Sequence, residues 1–166
     1  KEIEALVNLN SIKMIYISYS PRFMKSKKWI FGFEENQILK LKQDLFNDKK
    51  KAIKNFYLLI LGDFKRKKIF YKEIFLYIDL VMKVNLKTLN IGLDIIRNSN
   101  YDQYFNDKTV KNLYIYGDKD KIVSSDIKNF MKILEPTSVI KVLPDSSHIP
   151  FLTNPDDFLE TIKEFI

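Results

Sequence analysis

Residues 112–123, NLYIYGDKDKIV, and residues 138–151, SVIKVLPDSSHIPF, decide the fold. Each begins as an apolar run of strand length and closes on turn residues, Gly117-Asp118 in the first and Pro144-Asp145 in the second. Between them Ser124–Leu134 has helical spacing. After them Pro155–Ile166 reads as a closing helix, with Asn154 as its cap and Pro155 at its first position. Strand, helix, strand, helix predicts parallel strands joined by crossovers, an α/β arrangement.

Open parallel sheets place their chemistry in the loops beyond the carboxyl ends of the strands. The first such loop offers Asp118 and Asp120, and the second holds His148, the only histidine of the chain. Taken alone, the two aspartates are turn formers that cap the next helix, and a lone histidine is usually a surface or satisfied core residue. Together, an acid and then an imidazole at the tips of adjacent parallel strands form the second half of the order Ser…Asp…His found in α/β-hydrolases.

Working outward, Lys13–Tyr19 (KMIYISY) is rich in strand formers and runs into Ser20-Pro21, where proline ends a regular ladder. From Glu34 to about Arg97 the apolar period is helical: Ile38, Leu41, Leu45; Ile53, Phe56, Ile60; Phe70, Ile74, Tyr77, Val81; Leu86, Leu89, Leu93, Ile96. Asn47, Gly62-Asp63 and Asn85 punctuate it, so four helices are expected with no strand between them. Residues 1–10 can be read as helix or strand.

With 166 residues, 46% hydrophobic and 14% aromatic, the chain can build a sizeable core. It has no cysteine, which excludes disulfides, thiolate metal sites and a cysteine nucleophile and suits a reducing compartment; the cytoplasm is expected. It has no apolar run long enough to span a membrane. The net charge of +7 is concentrated in residues 25–72, yet no nucleic-acid motif accompanies it. The basic residues fall in two groups, Lys49, Lys50, Lys51 and Lys54, and then Lys65, Arg66, Lys67, Lys68 and Lys72. A solvated helix face explains any one of them, and an acidic partner would explain the grouping.

The sequence resembles the α/β-hydrolases and, within them, the pimeloyl-[acyl-carrier protein] methyl ester esterases of biotin synthesis. Gly117–Val123 matches that family's acid motif, Gly-x-x-Asp-x-(Leu/Ile)-Val, which makes Asp120 the triad acid with Asp118 as the fallback. Ser147-His148-Ile149-Pro150-Phe151 followed by Asn154-Pro155-Asp156-Asp157-Phe158 matches its base motif. Ser20-Pro21-Arg22-Phe23 with Trp29 and Gly32 resembles the family's entry into a helical lid, and Leu89–Ile96 the end of that lid. The family's Asp-Leu-Arg after the lid stands here as Asp102-Gln103-Tyr104, and the proline before the acid-bearing strand is replaced by Lys111 or Asn112.

The resemblance implies the C-terminal portion of an α/β-hydrolase: residues 1–22 end a helix and give a core strand, 23–98 form a four-helix lid, and 99–166 are the βαβα part carrying the acid and base. It implies a carboxylic ester hydrolase needing no cofactor or metal, monomeric when complete, that docks an acyl-carrier protein through lid lysines. Lys51, Lys54, Lys67 and Lys68 are the candidates, with Phe56 and its neighbours Ile60, Phe70 and Phe75 facing an acyl tunnel or packing the lid. None of the four glycines flanks a serine as Gly-x-Ser-x-Gly, so the nucleophile is expected upstream of Lys1 and the 166 residues alone are expected to be inactive. Another ester or C–C hydrolase of this fold, or a non-catalytic binding module, are the alternative readings.

Overall fold

The computed structural model describes residues 13–65, 67–101 and 111–166. Residues 1–10 and the Asp102-Gln103-Tyr104 stretch lie outside them. Three strands, β1 (Met14–Ile17), β2 (Asn112–Gly117) and β3 (Val139–Leu143), form a sheet in the order β1-β2-β3. Both pairings are parallel, with Met14 opposite Asn112 and Leu113 opposite Val139. β2 is buried along its whole length, which is why its sequence is a continuous apolar run rather than an alternating one.

Alternate β2 residues feed two cores. Tyr114 and Tyr116 pack with Trp29, Ile122, Val123, Ile127 and Met131 on one face, while Leu113 and Ile115 pack with Leu143, Phe158 and Phe165 on the other. Helix α6 (Ile127–Leu134) supplies the first face and helix α8 (Pro155–Phe165) the second. α6 begins at Ile127 rather than at the expected Ser124. Ile127 N–H donates to the Ser124 carbonyl and Lys128 N–H to that of Ser125, so the preceding residues wind as tight turns before the α-helix begins. A short helix, α7 (Pro150–Thr153), sits between β3 and α8 and has no counterpart in the sequence reading. Asn154 does precede α8, but its side chain donates to Asp157 and to the Pro144 carbonyl instead of accepting from the helix.

Among the described residues between β1 and β2 lie five helices: α1 (Glu35–Asn47), α2 (Lys49–Leu61), α3 (Lys67–Leu76), α4 (Ile78–Met82) and α5 (Leu86–Asn98). The expectation of four fails at Tyr77, where φ −92° and ψ −1°, at the edge of the helical region, interrupt the helix in a turn. The break turns Ile78 into the core and leaves Tyr77 exposed, the reverse of the expected register. α1 starts with a capping box between Glu34 and Gln37, and Asp48 and Asn85 accept the Lys51 and Thr88 amides to start α2 and α5. Leu45, Ala52, Ile53 and Ile78 form the core of this segment, separate from the two sheet cores.

Residues 18–33 make the passage from β1 to α1. Trp29 is fully buried against Phe31 and Phe130, and Gly32, at φ +95°, has no room for a side chain because a Cβ would lie 2.3 Å from the Phe23 carbonyl oxygen.

Candidate active site

The loops after β2 and β3 are joined backbone to backbone. At Gly117 a Cβ would lie 2.3 Å from the carbonyl oxygens of both Ser146 and Ser147, so only glycine allows the second loop to pass. Lys119 N–H donates to Ser146 O at 2.8 Å, and Ser146 N–H donates to the Asp118 carboxylate at 3.2 Å. Asp118 therefore ties the loops together and is not in contact with the imidazole.

Asp120 is. Its side chain is fully buried, with Oδ1 accepting from Ile122 N–H at 2.7 Å and Val123 N–H at 3.0 Å. Its Oδ2 lies 2.9 Å from His148 Nδ1. Two backbone donors and an imidazole hold the carboxylate in one orientation, and with Nδ1 turned to it, Nε2 is the nitrogen left for a reacting proton.

The His148 main chain is fixed on both sides. Its N–H donates to the Ile60 carbonyl at the end of α2 (3.3 Å), and its carbonyl accepts from Ser18 Oγ at the tip of β1 (2.8 Å). Below it, the buried Thr153 Oγ1 accepts from Ser147 N–H at 3.0 Å and contacts Ser146 Oγ at 3.1 Å. Sequence reading missed Ser18 and Thr153. Ser18 had a detectable signal, since it ends a strand on the carboxyl side of the sheet. Thr153 had none, being an ordinary threonine inside a proline-led turn.

His148 and Ile122 line a cavity of about 390 Å³ whose other lining residues include Phe23, Phe33, Ile38, Leu41, Phe56, Leu59 and Leu93. Gln37, Asp44 and Asn55 add its few polar groups, and a second cavity sharing Asp44 and Asn55 reaches Lys40 and Lys51. Of the expected tunnel residues, Phe56 lines the first cavity. Ile60 packs on the sheet core, Phe75 on Tyr57 and Phe70 on Phe64.

Among the candidate lysines, Lys51 and Lys68 are exposed, whereas the Lys54 ammonium lies 5.6 Å from the centre of the Phe75 ring. Lys67 opens α3, and its side chain lies outside the described ones. Lys49 donates to the carbonyls of Met82 and Val84. Among the described residues no cluster of histidine and carboxylates could hold a metal, and no helix is long and apolar enough to cross a membrane.

No protein-family model matches the chain. A pimeloyl-[acyl-carrier protein] methyl ester esterase from Wigglesworthia glossinidia brevipalpis is 31% identical over 163 residues, covering 92% of this chain and 60% of the relative. The chain thus spans about 60% of the length of that curated relative. Among solved structures, an esterase from Exiguobacterium antarcticum superposes with a TM-score of 0.78 at 18% identity, over 92% of this chain and 56% of its own. A bromoperoxidase from Bacillus anthracis does so with a TM-score of 0.80 at 19% identity, over 92% and 57%. The chain therefore has part of the α/β-hydrolase fold, and its parallel sheet carries Asp120 and His148 on adjacent strand tips.

Proposed function

We propose that the chain supplies the acid and base of a carboxylic ester hydrolase working by a Ser-His-Asp mechanism. The observation that carries this reading is the 2.9 Å contact between the fully buried Asp120 carboxylate and Nδ1 of His148, which lines an apolar cavity. In the reaction a serine on sequence preceding Lys1 attacks the ester carbonyl. His148 Nε2 takes its proton and returns it to the leaving alcohol, while Asp120 holds the Nδ1–H tautomer and stabilises the imidazolium. The donors for the oxyanion belong to the same preceding sequence.

For the substrate we propose the methyl ester of a pimeloyl chain on acyl-carrier protein, in the cytoplasm, with α1–α5 acting as a lid. The apolar cavity suits a linear acyl chain, and the name of the Wigglesworthia relative points to this ester. Charge supports the carrier. α2 begins Lys49-Lys50-Lys51 and α3 Lys67-Lys68, so both helices carry cations where the helix dipole is positive. An exposed lysine in a first turn, such as Lys51 or Lys68, costs its helix about 0.3–1 kcal/mol at low salt, a cost that an acidic partner seated there removes, whereas Lys49 already gives its ammonium to the Met82 and Val84 carbonyls.

The test uses the complete protein. Methyl-pimeloyl thioester should be turned over in preference to p-nitrophenyl acetate, and His148→Ala should abolish both activities. Preference for simple esters would instead favour a general carboxylesterase of the same fold. The 166 residues alone should give no burst from a p-nitrophenyl ester. A burst that His148→Ala removes would place a nucleophile within them.

A further inference from the structure

The turn that ends α2 touches both catalytic loops. Four contacts fall within six residues, two to each loop. Toward the acid loop, Gly62 lies so close that a Cβ would be 2.1 Å from the Lys119 carbonyl oxygen, and Asp63 pairs with Lys121 at 2.8 Å. Toward the base loop, the Ile60 carbonyl accepts His148 N–H, and Lys65 N–H donates to Asp145 Oδ1 at 2.9 Å.

The geometry is specialised on both sides. Gly62 adopts φ +55° and ψ −143°, and among the described residues Asp145 is one of two non-glycine residues at positive φ, the other being Ser18. Non-glycine residues persist there when the surroundings hold them, and such positions cluster at functional sites. Asp145 belongs to the base loop, and Ser18 is tied to that loop through its bond to the His148 carbonyl. Leu61 and Phe64 are almost fully buried on either side of Gly62 and Asp63, so the turn is anchored in the core.

We propose that the turn Ile60–Lys65 is a positioning element for the acid–base pair, with Gly62 and Asp145 as positioning residues. It spans the two loops on the side facing the helices and fixes the distance between Asp120 and His148. The same α2 lines the cavity with Phe56 and Leu59, so a displacement of the helix by substrate reaches the imidazole through one hydrogen bond. The helical segment thereby sets the alignment of the base as well as covering the acyl group. This rests on the triad reading above, though not on the identity of the ester.

The experiment compares Asp145→Asn and Asp145→Gly in the complete protein, with Gly62→Ala as a third variant. Asparagine tolerates positive φ and keeps an acceptor oxygen, whereas glycine keeps the conformation and loses the acceptor. The readouts are kcat and KM on p-nitrophenyl acetate and the NMR signal of the imidazole Nδ1 proton, assigned by its loss in His148→Gln. Asp145→Asn should match the parent. Asp145→Gly should lower kcat about tenfold with a smaller change in KM and broaden the Nδ1 proton. Gly62→Ala, where the collision is with backbone, should lower kcat by about 10²-fold.

The proposal is overturned if Asp145→Gly leaves both kcat and the Nδ1 proton unchanged, or if Asp145→Asn falls as far as Asp145→Gly. Should Gly62→Ala not fold, the Asp145 pair alone decides. Failure to hydrolyse the pimeloyl ester, with the Nδ1 readout behaving as expected, would overturn the substrate and leave the positioning role standing.

Discussion

Asp120 uses its two oxygens for different purposes. Oδ1 accepts the Ile122 and Val123 amides, as any turn-forming aspartate would, and Oδ2 faces His148. The structural and functional readings of this residue therefore describe one carboxylate, and residue type alone could not have separated them. An Asp120→Asn substitution does separate them. The asparagine oxygen still accepts the two amides, while its NH2 meets Nδ1 and forces the proton to Nε2, where the ring can no longer act as a base. Expected is a loss in kcat of about 10⁴-fold with Tm nearly unchanged, and imidazole ¹⁵N shifts reporting the exchanged tautomer. A fall of more than tenfold less than this would show that the acid is elsewhere.

Among the elements, α2 sets stability against recognition. Replacing Lys50 and Lys51 by glutamate puts negative charge beside the N-terminal amides, so the helix should gain about 0.3–1 kcal/mol per site while carrier-protein affinity at low salt falls. Thermal melts and salt-dependent binding together check this, and loss of stability would contradict the dipole argument. α8 shows the opposite case, an element held by its apolar face. Phe158→Ala should cost about 3–5 kcal/mol in chemical denaturation, because the side chain is buried against Leu113, Ile115 and Leu143. Helix identity was legible here from the period of the apolar residues. The break at Tyr77 was not, because Phe70, Ile74, Tyr77 and Val81 keep an unbroken helical spacing through it, and nothing in the residue types marks a helix interrupted by a turn at one residue.

For the molecule as a whole, the parallel sheet and the placing of Asp120 and His148 could be read from the strand runs and the turn chemistry after them. How the helical segment meets the sheet could not: Gly62-Asp63 was legible only as a turn, and the Ile60 carbonyl and Lys65 amide that bind the base loop are backbone groups without a residue-type signature. The sheet core carries its own pH dependence. Burial, and then the Glu135 carboxylate, push the Tyr114 phenol well above the usual value of about 10, and burial, Tyr19 and Glu135 do the same for Tyr116. The folded chain keeps these protons where the unfolded chain has lost them. Their contribution is thus complete below about pH 10 and is lost as pH rises beyond it. Absorbance at 295 nm should show both tyrosines ionising only with the cooperative loss of circular dichroism; ionisation near pH 10 with the helix signal intact would refute this.

Trp29 is the only tryptophan of these 166 residues, and it is wedged between Phe31 and Phe130 where the passage from β1 meets α6. Its fluorescence is consequently a local gauge of that seam and is blind to the core built around Leu45, Ile53 and Ile78. If the helices between β1 and β2 melt as a unit of their own, ellipticity will fall while the indole emission stays blue. The two denaturation curves will then part company, and the gap between them will measure how independently the two halves of the molecule are held together.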